Sequence, residues 1–150
     1  MKCDIVCFQE TKLSSLNSFV VRSLWGSPFL DCSRCSQYCR GVLLVWDKRV
    51  FEKVDCVVGL YSVNVLLKGV ADDFVWACLG VYGPNKDNQR GALWEELSRM
   101  HFRWNTTWCV FGDFNTIRYS SERFGCEAFS PVMFAFSNFI KANYLVDLTP

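Results

Sequence analysis

Three observations predict an α/β or layered α+β fold. Apolar runs of strand length alternate along the chain with segments of helical periodicity. Several of the strand-like runs are apolar on both faces, so their sheets need cover on both sides. Hydrophobic residues make up 51% of the 150-residue chain and charged residues 21%, enough apolar material for the packed core of one domain or a piece of one.

The elements follow in chain order. "CDIVCFQE" (3–10) is a short apolar strand that ends in polar residues. "LSSLNSFVVRSLWG" (13–26) sets Leu13, Leu16, Phe19, Val20 and Leu24 near helical spacing, with Gly26 as its stop. "SRCSQYCRG" (33–41) reads as loop, and "GVLLVWD" (41–47) as a buried strand. "YSVNVLLKG" (61–69) alternates in part, and "FVWACLGVYGPN" (74–85) is a buried strand closed by a Gly-Pro-Asn turn. In "NQRGALWEELSRMHF" (88–102), Leu93, Trp94, Leu97 and Met100 form a helical face, and Glu95, Glu96 and Arg99 fall off it. "TWCVFGDFN" (107–115) is a further buried strand. The segment 130–150 opens a helix with Ser130 as N-cap and Pro131 in the first position; Phe134, Phe136, Phe139 and Ile140 give it apolar content.

Three strand-like segments end in polar clusters: "FQET" (8–11), "VYGPN" (81–85) and "FGDFN" (111–115). Strand ends on one edge of a layered sheet converge in space and are a common place for a site. Converged, they present Glu10, Tyr82, Asn85, Asp113 and Asn115. That set suits phosphoester chemistry with a hard cation. Mg²⁺ takes oxygen ligands and is often held by one or two carboxylates, with water and substrate phosphate completing the shell. Glu10 has the right chemistry for the ligand, and Asp113 for orienting or deprotonating an attacking water. Tyr82 and Asn115 can donate to phosphoryl oxygens as charge develops. Each residue also has a bland reading. Asp113 and Asn115 suit a polar turn, Glu10 a solvated strand end, Tyr82 a core ring with a wet hydroxyl, and Gly83-Pro84-Asn85 a turn in any protein.

"FQETK", "GVYGPN" and "FGDFN", in that order, resemble the endonuclease/exonuclease/phosphatase superfamily. "RGVLLVW" between the first two motifs and "ALWEEL" after the second make the chain most similar to the endonuclease domain of plant LINE-type (non-LTR) retrotransposons. The resemblance implies a four-layered α/β/β/α sandwich and Mg²⁺-dependent hydrolysis of phosphodiesters in DNA, with Mn²⁺ as an alternative cation and no small-molecule cofactor. It implies Glu10 as metal ligand, Tyr82, Asp113 and Asn115 as catalytic residues, and less definite roles for Gln9 and Asn85. Arg90, with Lys86 before it, enters the helix after "GPN", where a backbone phosphate contact and a solvated helix start are both reasonable.

The departures from the pattern also shape the expectation. The superfamily's first strand, with an Asn that assists the metal, and its final Ser-Asp-His motif have no counterpart in residues 1–150. The expected domain is therefore a single partial one with an incomplete sandwich, inactive or nearly so as it stands. Two other readings remain: a non-catalytic remnant, and another phosphoesterase branch acting on lipid or inositol phosphates. His101, the one histidine, lies near the end of a helix with nothing to put it in the site. A truncated sandwich would leave sheet edges and apolar faces open, so poor solubility is expected; the mean hydropathy of +0.10 agrees.

Other features exclude more than they suggest. A net charge of +1 leaves no strong nucleic-acid or membrane footprint, although nucleases need not be basic overall. The longest apolar run, "FVWACLGVY" (74–82), is too short to span a bilayer, and no secretory signal is visible, so an intracellular setting with reduced thiols is expected. A nuclear location would follow from the retroelement role. Cys32, Cys35 and Cys39 have C-x₂-C-x₃-C spacing but lack the fourth ligand a tetrahedral zinc needs. Asp147 reads as a structural charge.

Overall fold

The computed structural model describes residues 3–11, 18–34, 41–122, 124–125 and 128–148. In chain order the elements are β1 (Ile5–Phe8), α1 (Ser18–Trp25), β2 (Leu30–Arg34), β3 (Leu43–Asp47), β4 (Phe51–Val58), β5 (Ser62–Gly69), β6 (Val75–Tyr82), α2 (Arg90–Trp104), β7 (Trp108–Asp113) and α3 (Pro131–Ala142). They form two sheets, one of order β1-β3-β2 and one of order β4-β5-β6-β7. Every pairing is antiparallel except β6 with β7, which run parallel and are joined through α2.

Side-chain alternation builds the layers. On β3, Leu44 and Trp46 face the second sheet and pack with Val63, Val65 and Leu67 of β5 and Cys78 of β6. Leu43 and Val45 face the other way, against Val21 of α1. On β6 the alternate set, Ala77, Leu79 and Val81, meets Leu93 and Leu97 of α2 and Phe136, Phe139 and Ile140 of α3. The order is helix, sheet, sheet, helices. The expected α/β/β/α layering is the one observed, and β3, β5 and β6 are buried on both faces.

The helix boundaries follow their capping residues. Ser130 is extended, and its Oγ accepts the Met133 N–H at 3.3 Å, with Pro131 at the first position. Asn105 closes α2 in a left-handed conformation (φ 41°), and Gly26 follows α1 at φ 70°. Three sequence expectations need correction. The apolar stripe expected on α1 is not the buried one: Phe19 is 75% exposed and Leu24 44%, while Val21 is 4% exposed. The helix covers a small three-stranded sheet and needs only a narrow contact. Phe134 is likewise exposed on α3. The segment read as loop from residue 33 begins inside a strand, since Ser33 and Arg34 belong to β2; Cys35 and Cys39 lie outside the described residues, as do residues 13–17 of the first helical segment.

Among the described residues, no helix is long and apolar enough to cross a membrane. No group of three or more His, Cys, Asp or Glu among them is arranged to hold a metal ion. Burial pushes the Cys7 thiol up to about 11 and raises Cys78 and Cys109 as well.

Candidate active site

β6 and β7 are parallel neighbours, so their C-terminal ends lie side by side. Their register ends on the pair Tyr82 and Asp113. Two glycines let the chains part there. Gly112 has φ 135°, and a Cβ on it would collide with the Val81 carbonyl oxygen. Gly83 donates its N–H to the Asp113 carbonyl at 2.7 Å, and a Cβ there would collide with the Phe114 carbonyl oxygen. The backbones approach too closely for any side chain.

Asn115 then turns the chain with φ 51°. Its N–H donates to Asp113 Oδ1 at 2.7 Å, the local bond that makes Asp good turn chemistry. Its Nδ2 donates to the Gly83 carbonyl at 2.7 Å. One of the amide donors expected to face a phosphoryl oxygen is thus committed to the neighbouring strand exit.

The first sheet contributes the third strand end. Gln9 Nε2 donates to the Val81 carbonyl at 2.5 Å and ties the exit of β1 to β6. Glu10 follows with φ 53°, and Thr11 bonds Gly41 through both its N–H and its hydroxyl. The buried Tyr82 donates its hydroxyl to Glu10 Oε1, across from one sheet to the other. Glu10 and Asn115 both hold a left-handed conformation, common for Asn and unusual for Glu.

Glu10, Tyr82, Asp113 and Asn115 therefore come together. Glu10 and Asp113 are exposed, and each carboxylate takes one hydrogen bond among the described residues. A single hard, solvent-facing oxygen donor with open lone pairs fits a Mg²⁺-type cation that keeps most of its water. Asn85 is exposed in the turn after β6. Arg90 opens α2 with its guanidinium bonded to Asp87 and to the Asn115 carbonyl. A cleft of about 500 Å³ lies beside them, lined by Arg90, Asp113, Asn115 and Met133 among others.

Other candidates lie elsewhere. His101 stacks on Trp108 with ring centroids 4.7 Å apart, at the start of β7 rather than the end that carries Asp113. Asp147 pairs with Arg118 at 2.7 Å. The sequence pattern did not reveal Glu96, expected off the apolar face. It is 7% exposed and accepts from Leu60 N–H at 2.8 Å, Tyr61 N–H at 3.1 Å and Ser62 Oγ at 2.5 Å. The anchoring role of Gln9 was equally hidden, because a strand-end amide has no sequence signature.

No protein-family model matches the chain, and no curated protein matches it. Solved structures do. The human Nocturnin catalytic domain, determined with a bound sulfate anion, aligns at a TM-score of 0.53 and 14% identity, over 76% of this chain and 52% of that chain. ANGEL2, a 2′,3′-cyclic phosphatase in complex with adenosine-2′,3′-vanadate, aligns at 0.55 and 16% identity, over 78% and 41%. The fold is of the endonuclease/exonuclease/phosphatase type. A conserved protein of unknown function from Enterococcus faecalis V583 aligns at 0.57 and 14% identity, over 90% of this chain and 57% of that one. The chain spans about half the length of these solved structures.

Proposed function

We propose that this chain carries the phosphoester-hydrolysing site of a Mg²⁺-dependent DNA endonuclease of the plant LINE-type retrotransposon kind. The observation that carries the reading is the contact between the two sheets: Tyr82 of β6 donates to Glu10 beyond β1, beside Asp113 and Asn115 at the end of β7. Three motifs distant in sequence meet at one point, and their chemistry is that of phosphate transfer. The DNA substrate and the retroelement branch rest on "GVYGPN", "RGVLLVW" and "ALWEEL", and a nuclear location would follow from that role.

Glu10 would hold the cation, which when bound supplies positive charge to a phosphoryl oxygen and to the leaving oxygen. Asp113 is exposed, with one carboxylate oxygen steadied by Asn115 N–H. It orients a water on phosphorus and takes its proton as the new P–O bond forms and the bond to the leaving oxygen breaks. Tyr82, 8% exposed at the end of its strand, positions Glu10 through its hydroxyl. Asn115 fixes the turn that aims Asp113.

A second reading, a domain with little or no catalysis, is favoured by two observations. Arg90 is bonded to protein groups and His101 is packed on Trp108, so neither is turned toward a leaving oxygen. Plasmid nicking with Mg²⁺ separates the two. The catalytic reading expects Mg²⁺-dependent nicking that Asp113→Asn lowers by about 10²–10⁴-fold, with Glu10→Gln needing more Mg²⁺. Equal rates for the parent chain and Asp113→Asn would sink it. A faster reaction on inositol phosphates than on DNA would move the chain to the other branch.

A further inference from the structure

Arg90 was open to two readings from sequence, a contact to a nucleic-acid backbone or a solvated helix start. Neither describes its surroundings. Its side chain is 11% exposed at the start of α2. One terminal nitrogen bonds the Asp87 carboxylate, in the short 3₁₀ turn Asp87–Gln89 before the helix. The other donates to the backbone carbonyl of Asn115, which lies 25 residues further along the chain. The third nitrogen, Nε, is buried with no partner among the described residues. The side chain borders the cleft, but both terminal nitrogens of its fork are engaged by protein acceptors.

Asn115 is the residue on which the site's loop depends. It is held at its N–H by Asp113 Oδ1, at its side chain by the Gly83 carbonyl, and at its own carbonyl by Arg90. The first bond constrains the peptide before the residue and the last the peptide after it. Together they fix the left-handed turn at Asn115, a conformation that Asn adopts more readily than other non-glycine residues. Asp87 in turn holds the guanidinium in place, so the fork bridges the exits of β6 and β7. An ammonium group cannot span both partners in this planar geometry.

We infer that Arg90 is a positioning residue: it holds the Asn115 carbonyl, and through Asn115 it fixes where Asp113 stands. The inference rests on the reading of this strand end as a phosphoester site, and it moves Arg90 from the substrate to the scaffold of that site.

Amide hydrogen exchange on the full chain, followed by NMR, tests this without catalysis. Arg90→Met should speed exchange of the Asn115 and Gly83 amides by roughly tenfold, the size of one charge-assisted hydrogen bond. Amides in the middle of β5 should not change. Arg90→Lys should fall between the parent and the Met variant, and Asp87→Asn should give a smaller rise at the same amides. If Arg90→Met does not fold, these two milder variants carry the same readout. Unchanged exchange at Asn115 in the variants overturns the inference. Salt-dependent DNA binding separates the positioning role from a direct phosphate contact. A positioning Arg90 leaves the slope of log affinity against log salt unchanged, whereas loss of about one unit of slope marks a phosphate contact and also overturns the inference. If the parent chain cleaves no DNA, the exchange result still decides the role of Arg90, so the two ideas fail separately.

Discussion

Glu96 and Glu10 both serve the end of the second sheet where β6 stops, and the protein treats them in opposite ways. Glu96 reaches from α2 into the turn between β4 and β5 and is 7% exposed, with its carboxylate filled by two backbone N–H groups and the Ser62 hydroxyl. That turn adjoins the site, since Tyr82 N–H donates to the Tyr61 carbonyl at 2.9 Å. Glu10 is exposed, and among the described residues it accepts from Tyr82 alone. A carboxylate saturated by protein donors is a strut, because any new ligand must first displace bonds that hold the fold. A carboxylate with open lone pairs in water can exchange water for a cation at little cost. Burial and satisfaction, rather than charge, separate structural acids from candidate catalytic ones here.

Substitution gives the sharpest way to break that contrast. Glu96→Ala removes the acceptor of three donors, of which the Ser62 hydroxyl is fully buried, and should cost about 2–3 kcal/mol of unfolding free energy. Glu10→Ala should cost about 1 kcal/mol or less, the worth of its one hydrogen bond from Tyr82. Urea midpoints of the two variants measure this directly. Equal losses would mean that Glu10 is as structural as Glu96, and the case for a cation there would fall.

The glycines allow a second, smaller test of the same division between site and scaffold. Gly112→Ala drives a Cβ into the Val81 carbonyl at φ 135°, and should cost about 2 kcal/mol while disturbing the Asp113 end of β7. Gly91, in the first turn of α2, has a helical backbone and nothing within 4 Å of where a methyl group would stand. Gly91→Ala should stabilise by about 0.5–1 kcal/mol through the unfolded state and helix propensity. A loss of stability at both positions would show that the strand exit carries no special constraint.

Much of this was legible in the sequence, for identifiable reasons. β3, β5 and β6 announce themselves because a strand buried on both faces is a continuous apolar run. The polar residues that end β1, β6 and β7 stand out against such runs, so Glu10, Tyr82, Asp113 and Asn115 could be named before their meeting was seen. β4 was missed because it is an edge strand: "FEKVDCVV" carries three charges, a register shift between Lys53 and Asp55, and Val54 at 54% exposure. β2 is short and half-buried, with Asp31 and Ser33 in it. Glu96 and Arg90 were hidden for a different reason. Their roles depend on partners 35 and 25 residues away, and periodicity within a helix carries no information about them.

Asp55 lies between the two glutamates in character and sharpens the comparison at its smallest scale. Its carboxylate is held below the usual range first by the Trp104 indole N–H at 2.9 Å, then by the Cys56 N–H and by Arg103. These bonds tie the edge strand β4 to the end of α2. The side chain is 39% exposed, so solvent screens the effect and its contribution to stability is small. The sign is nonetheless fixed. A carboxylate whose folded pKa is depressed contributes stability above its unfolded pKa, about 3.9, and loses it as pH falls through the folded pKa. Asp55→Asn should therefore change stability little at pH 7 and flatten the fall in stability below about pH 4. Urea midpoints of parent and variant between pH 7 and pH 3 measure it. Parallel curves at all pH values would mean that the Trp104 bond does not discriminate between the charged and neutral acid, and that partial satisfaction of an exposed carboxylate leaves it energetically as free as Glu10.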